Sequence, residues 1–543
     1  MKTKLFLVVF LLSYISLSAA TYSGSLPVLH IETENNTPIT SKEDYLQATY
    51  YLDAMGIAGY ESFGSATSPL TMEIKGRGNY TWRDFDKKPY RIKLTDKQPL
   101  LGMKKNKHFA LLAHADDALN KKGFMRNQVG FELSRMLGMA WTPEVRPVEV
   151  VLNGDYIGLY FLTEHVRVEE DRVNIVEQED NETNPEAITG GWLVEIDNYN
   201  EDPHITIKEG GKHTMWFTYK TPEELSSQQE DFLVQEMERL DRLVYGDKNS
   251  DELWQYLDIG ALARFYIVQE IMDNYESFHG SCYLYRDKGD GQKWKFGPVW
   301  DFGSSFNRNK DRYLFEGDVW HNHWIPEICK FPAFMDYVKK VWKEFYPQIN
   351  NIYIFTAEQL GLLKSAAVAD ANRWSEYSGN KDLEKRINNV NSWLKTSVAW
   401  LNEQWGSNNG NNNDDNTDSE LMCMYVWVNG EKVEYNLNLV DSITFAPKEG
   451  IVVKAKVPTT WTDQIYVWIW GDDVTTNEFK ANKQGDWYVF THYGKELNII
   501  FKNGQGWKGN ANQTEDLKTT TSGCYIITQE GENKAKFTAT NCE

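Results

Sequence analysis

Three groupings of residues in this chain have types and spacings suited to chemistry. Gly76-Arg77-Gly78 follows a strand-like run from Leu70 to Ile74. Glycines at such a place let backbone N–H groups approach a phosphate, because no Cβ stands in the way. A lone Gly-x-Gly is also an ordinary turn. Asp301 follows the apolar run Phe296 to Trp300 and opens Asp301-Phe302-Gly303. A carboxylate on that turn can reach a magnesium ion bridging phosphates, and a plain turn aspartate is the alternative. Tyr466, Trp468 and Trp470 alternate along one strand-like run and so project from one face. Aromatic faces stack on pyranose rings, with Gln513 and Asp516 as partners for sugar hydroxyls. Burial in a sandwich core is the competing use of the same rings.

The elements that must position these groups come in two blocks. Gly406 to Ser419 contains no apolar residue and cannot fold by burial, so it reads as a linker spanning 406–419. Before it, Val28 to Ile31, Leu70 to Ile74 and Tyr90 to Leu94 read as strands. Asn127 to Leu137 has helical spacing and stops at Gly138. Val148 to Leu152 and Tyr156 to Leu162 flank Asn153-Gly154, a hairpin signal. From Gln228 onward helical patterns dominate: Phe232 to Leu243, Ile259 to Met272, Phe334 to Phe345, Ala357 to Trp374 and Leu383 to Trp405. Strands first and helices after predict an α+β arrangement of two lobes over residues 21–405. Beyond the linker, residues 420–543 read as all-β, a small sandwich.

Composition bounds the rest. Of 543 residues, 41% are hydrophobic and 14% aromatic, ample for more than one core. A net charge of −21 argues against nucleic-acid or anionic-membrane partners, which would repel it. Lys2 and Lys4, an apolar run from Leu5 to Leu17 and then Ser18-Ala19-Ala20 predict a cleaved export signal over residues 1–20. No cysteine follows it for lipid attachment, and no later run is apolar for long enough to span a bilayer. The expected location is therefore secreted, periplasmic or cell-surface. Of the five cysteines, Cys524 and Cys542 could pair across the last strands of an exported domain.

The series Gly76-Arg77-Gly78-Asn79-Tyr80-Thr81-Trp82, Lys87-Lys88-Pro89-Tyr90-Arg91-Ile92-Lys93, Asn153-Gly154-Asp155-Tyr156-Ile157-Gly158, Thr163-Glu164, Tyr283-Leu284-Tyr285 and Pro298-Val299-Trp300-Asp301-Phe302-Gly303 resembles the CotH kinase family, in order. The resemblance implies an atypical protein-kinase-like fold and phosphorylation of proteins with ATP and Mg2+ or Mn2+ as cofactors. It implies nucleotide-binding roles for Gly76, Gly78 and Lys93, with Lys88 as competitor for the phosphate lysine. Glu132 would orient that lysine, and Glu164 would lie at the hinge that meets the adenine. Lys93, Glu164 and Asp301 are expected to face one cleft. Asp301 would hold the metal. Counting back from Tyr283, Glu276 falls where the family places a catalytic aspartate and Ser281 where it places a metal-binding asparagine. Both depart from the pattern, and Asp273 is the alternative base.

The C-terminal residues Trp461, Ile465 to Trp470, Asp486-Trp487-Tyr488 and Asn498 to Gly504 with Gln513 resemble starch-binding modules of the carbohydrate-binding family 26 type, over roughly 450–540. That resemblance implies an α-glucan or another polysaccharide as partner through Tyr466, Trp468, Trp470 and Gln513. Three functions follow for the whole chain: a secreted kinase acting on an unknown protein acceptor and carried to glycan by its module; a pseudokinase, adhesion or glycan-binding surface protein without catalysis; and, last, a polysaccharide hydrolase, for which no carboxylate pair is legible.

Overall fold

A computed structural model describes residues 21–113, 125–199, 203–306, 310–316, 322–406, 423–428, 431–436, 451–461, 464–471, 474–492, 496–507 and 509–542. The expected export signal, most of the linker and the run Asp441 to Phe445 lie outside the described residues. The chain divides into two compact units, 1–417 and 418–543.

The first unit begins with a closed seven-stranded barrel. β1 (Val28–Thr33), β2 (Leu46–Asp53), β3 (Leu70–Gly76), β4 (Tyr90–Gln98), β5 (Asn106–Leu112), β6 (Val145–Leu152) and β7 (Asp155–Glu164) run in the order β1-β2-β3-β4-β5-β7-β6. A parallel pairing of β1 with β6 closes the ring. Alternation sorts the side chains: Ile92 and Leu94 of β4 are buried with Met72, Ile74, Phe109 and Leu162 inside the barrel. Arg91 and Lys93 therefore stand on its outer face. Asn153 (φ 51°) and Gly154 (φ 76°) turn β6 into β7, the positive-φ pair that a tight hairpin requires.

Helix α1 (Arg126–Met136) lies between β5 and β6 in the chain. A second sheet, β12-β11-β8-β10-β9, is built from β8 (Trp192–Ile196), β9 (His204–Glu209), β10 (His213–Thr221), β11 (Cys282–Arg286) and β12 (Lys295–Phe296). The helices around it are α2 (Ser227–Val244), α3 (Ile259–Met272), α4 (Pro332–Phe345), α5 (Asn351–Arg373) and α6 (Leu383–Trp405). α2 begins with a capping box at Ser226 and Gln229, and Asp258 caps α3. α3 is apolar all round and runs through the middle of the largest core with Phe265, Ile267 and Ile271 fully buried.

The barrel is fastened to α5 by a buried ion pair. Lys87 Nζ lies 2.7 Å from Asp370 Oδ1 and also donates to the Leu159 carbonyl at 2.5 Å. The rings of Tyr160 and Tyr377 flank the ammonium at 4.8 and 4.9 Å. Asp370 also accepts from the Leu159 N–H at 2.9 Å. A Cβ on Gly158 would lie 2.0 Å from the Asp370 carboxylate, so glycine is what lets α5 approach β7 so closely.

The second unit holds a two-stranded hairpin, β13 (Cys423–Val428) with β14 (Glu431–Asn436), and two larger sheets. One runs β18-β19-β15-β22-β23 and the other β17-β16-β20-β21. Their strands are β15 (Ile451–Lys456), β16 (Ile465–Gly471), β17 (Val474–Lys480), β18 (Asn482–Gln484), β19 (Trp487–His492), β20 (Leu497–Asn503), β21 (Leu517–Thr519), β22 (Gly523–Thr528) and β23 (Lys536–Thr540). The two sheets share one core that includes Val453, Ala455, Val467, Ile499 and Phe501. Cys524 and Cys542 form a disulfide, with Cα atoms 5.3 Å apart.

Candidate functional site

The best-organised cluster of ionisable groups surrounds Asp301. The turn that carries it is held by α1. The Asn127 side chain accepts from the Phe302 N–H at 2.8 Å. Arg126 donates to the carbonyls of Gly303 and Ser305 at 2.5 and 3.0 Å. Phe302 packs edge-on to Phe131, ring centroids 6.0 Å apart. It also covers Gly130, where a Cβ would lie 2.3 Å from the ring. From the other side, Asn274 donates to the Asp301 carbonyl at 3.0 Å and to Gln269 at 3.0 Å. These bonds hold Asp301 at φ 51°, a left-handed conformation costly for a residue with a Cβ. Its carboxylate accepts from the Gly303 N–H at 3.0 Å and is open to the cleft.

Charge around this carboxylate comes from both layers of the unit. The protein walls that crowd it push its pKa up, and the neighbouring Glu276 charge adds to this. The Gly303 N–H and the guanidinium groups of Arg77 and Arg126 act the other way. Glu276 accepts from the Tyr199 hydroxyl at 2.9 Å and from the Ser304 hydroxyl. Arg77 lies over the Trp300 ring, 5.8 Å from its centroid. Desolvation lowers its pKa, and the Asp301 charge opposes that.

The residues expected from sequence are distributed unevenly. Asp301 and Glu276 come together. Asp273, with φ 46° at the end of α3, is buried and lies 3.3 Å from Lys310 Nζ, which also pairs with Glu270. Ser281 begins the approach to β11 at φ 52°. Lys93 pairs with Glu73 across β3 and β4 at 3.2 Å, while Glu132 pairs with Arg135 of its own helix at 3.0 Å. The recorded partners of that lysine and that glutamate therefore lie elsewhere. Lys88 donates to the Trp82 carbonyl at 2.7 Å. Glu164 is buried, accepts from the Glu144 N–H at 2.9 Å, and has its pKa raised chiefly by burial.

The Gly-Arg-Gly turn is organised by packing. The Gly76 N–H bonds the Ser41 carbonyl and the Arg77 N–H bonds the Pro89 carbonyl. A Cβ on Gly76 would lie 2.4 Å from the Trp82 ring, and Gly78 has φ 79°. Of the two glycines that sequence reasoning offered to a phosphate, Gly76 thus has its N–H already bonded. What it passed over is the arginine between the glycines.

The Asp301 carboxylate suits a magnesium or manganese ion that takes its remaining ligands from water and phosphate oxygens. No group of three or more His, Cys, Asp or Glu residues placed to hold a metal occurs among the described residues. A site of this donor set would be completed by its substrate. Sequence reasoning also missed Tyr199, Asn127, Arg126 and Asn274. Their roles depend on contacts across 27 to 179 residues of sequence, and no local pattern signals them.

In the second unit, Ile465, Val467 and Ile469 are buried, whereas Tyr466, Trp468 and Trp470 are partly exposed on the opposite face of β16. Trp468 meets Trp507 edge-on at 5.4 Å, and Trp507 is 59% exposed. Lys502 lies over both rings, at 5.8 and 4.2 Å, and pairs with Glu478. Gln513 is buried at 8% exposure, beneath the surface rather than on it.

The first unit is a mixed α and β assembly in which a barrel and a helix-backed sheet present charged groups around one Asp-Phe-Gly turn. A family model described as CotH kinase protein matches residues 74–401, more than half of the chain, and the chain belongs to that family. No curated protein matches it. Among the described residues no helix is long and apolar enough to cross a membrane.

Proposed function

We propose that this chain is an exported atypical kinase that uses ATP with Mg2+ or Mn2+ to phosphorylate a protein hydroxyl. The observation that carries the reading is the Asp301 turn, held in a left-handed conformation by Asn127, Arg126 and Asn274 with Glu276 beside it. Strain sustained by so many independent bonds is characteristic of a working site. Asp301 is the residue to hold the metal, which when bound would neutralise phosphate charge. Glu276 stands at the cleft and is suited to take the acceptor hydroxyl's proton as oxygen attacks the terminal phosphorus and the bridging oxygen departs with ADP. Asp273 is shut in with Lys310 and suits the base role less.

A second reading, a nucleotide-binding pseudokinase or adhesion protein, draws support from Glu276, whose two oxygens already accept hydroxyl protons from Tyr199 and Ser304. Radiolabel transfer from ATP to a generic protein acceptor, with and without manganese, separates the two. The kinase reading expects metal-dependent transfer that falls about 100-fold or more in Asp301→Ala, since the charge-stabilising group is removed. Equal transfer by both proteins rejects Asp301 as the metal residue. Nucleotide binding without any transfer leaves the pseudokinase. We also propose that the second unit binds an α-glucan through the outer face of β16, which the partly exposed aromatic row supports.

A further inference from the structure

We propose that the nucleotide's phosphates are held by two arginines, Arg77 and Arg91, in place of the lysine expected from sequence. The inference rests on the nucleotide reading above and assigns its anion-binding residues.

Arg91 stands on the outer face of β4, opposite Lys75 of β3 and Ala110 of β5. Arg77 follows β3 directly and lies over Trp300, the residue before Asp301. The backbone brings the two residues together: the Arg77 N–H bonds the Pro89 carbonyl, and Gly76 and Lys75 lie opposite Tyr90 and Arg91 across the sheet. Arg91 helps depress Arg77, and both depress His165, whose burial already holds its imidazole well below the ordinary range. Burial and the charges of Arg167 and Arg91 bring His108 down to about 3. Cationic charge therefore surrounds both imidazoles, from Arg91 and, at His165, from Arg77 as well.

Among the described residues neither Arg77 nor Arg91 has a carboxylate ion-pair partner, and Arg91 Nε is buried with no hydrogen-bond partner. Three buried cations differ. Lys87 has Asp370, Lys310 has Glu270 and Asp273, and Arg172 has Glu164 and Glu169 within 4 Å. Two like charges partly withdrawn from water, with donors unused, cost free energy unless an anion joins them. The Asp301 charge opposes the lowering of the Arg77 pKa, and in the reading above that carboxylate is needed for the metal. A polyphosphate fits what remains: its oxygens match the planar fork of a guanidinium, and its far end would reach the metal on Asp301. Lys93 and Lys88 are already engaged with Glu73 and the Trp82 carbonyl.

Calorimetric titration of the full chain with tripolyphosphate, ATP and adenosine tests the assignment. Arg77→Gln and Arg91→Gln should each weaken tripolyphosphate and ATP about tenfold or more, leaving adenosine unchanged. Arg83→Gln, on an exposed residue paired with its neighbour Asp84, is the control. Tripolyphosphate should raise the melting temperature of the native protein and not that of the two variants, and Arg77→Lys should regain part of the affinity if Arg77→Gln folds poorly. Unchanged affinity in both folded variants, or no tripolyphosphate binding by the native chain, overturns the proposal. Arginine-dependent tripolyphosphate binding without phosphoryl transfer would keep this assignment and reject the kinase reading. Undiminished transfer in Arg77→Gln would do the reverse.

Discussion

Asp301 meets two opposing demands, since metal binding needs its carboxylate ionised and the crowded cleft favours the proton. Its pKa is raised, chiefly by desolvation and then by the charge of Glu276. In the metal-free protein a raised carboxyl pKa contributes stability at low pH, which is lost as pH rises through the folded value. For the metal the sign is opposite, because protons compete with it. Manganese affinity should therefore start to fall on acidification at a higher pH than an ordinary carboxylate near 3.9 would set. Titration of Mn2+ followed by electron paramagnetic resonance at neutral and mildly acidic pH checks this. Asp301→Asn should bind weakly at every pH, and a pH-independent affinity in the native protein would remove Asp301 from the site. At this scale the sequence showed Asp301 because Asp-Phe-Gly follows an apolar strand. It also placed Arg91 on the same strand face as Lys93, yet alternation alone does not tell which of the two finds a carboxylate across the sheet. Glu73 opposite Lys93 decided that.

Between elements, the contact of α1 with the Asp-Phe-Gly turn is the tightest in the site. Gly130 lies mid-helix, where alanine would ordinarily stabilise by about 1 kcal/mol. Here its Cβ would lie 2.3 Å from the Phe302 ring, which is itself buried against Phe131. Overpacking of that kind costs about 1–3 kcal/mol and displaces the neighbour, so it outweighs the propensity gain. Gly130→Ala should therefore lower stability in urea and weaken metal binding together; a more stable variant with native metal affinity would show that the helix does not position the turn. Several elements were legible because hydrophobic period and punctuation agree. Ile259–Met272 and Leu383–Trp405 were read with the ends they have, and Asn153-Gly154 gave the hairpin. β9 and β10 were not read. They form a hairpin across Gly210-Gly211, both at positive φ, a local signal that was passed over; only the pairing of β8 with β10 and β11 lies beyond local reach.

For the molecule as a whole, the division into two compact units lets each be tested by itself. A fragment of residues 418–543 has its own core and disulfide and should fold alone. Trp507→Ala and Trp468→Ala should reduce retention of that fragment in amylopectin-containing gels while leaving its melting temperature nearly unchanged. A ring buried in the core would instead cost about 3–5 kcal/mol. Normal retention of both variants would clear β16 and Trp507 of a glycan role. Unretarded migration of the folded native fragment across several α- and β-glucans would leave the unit without one.

The sequence by itself determined several of the strands and helices, and that an Asp-Phe-Gly turn follows an apolar strand. These are local properties, fixed by side-chain period, glycine conformations and turn chemistry. Only the tertiary structure decided that the strands close into a barrel, because closure depends on β1 meeting β6 in parallel more than a hundred residues on. It likewise decided the fate of each cation. A lysine and an arginine look alike in a sequence, and what separates them is whether folding brings a carboxylate within reach. Lys87 met Asp370 and Lys93 met Glu73, while neither Arg77 nor Arg91 has a carboxylate ion-pair partner among the described residues.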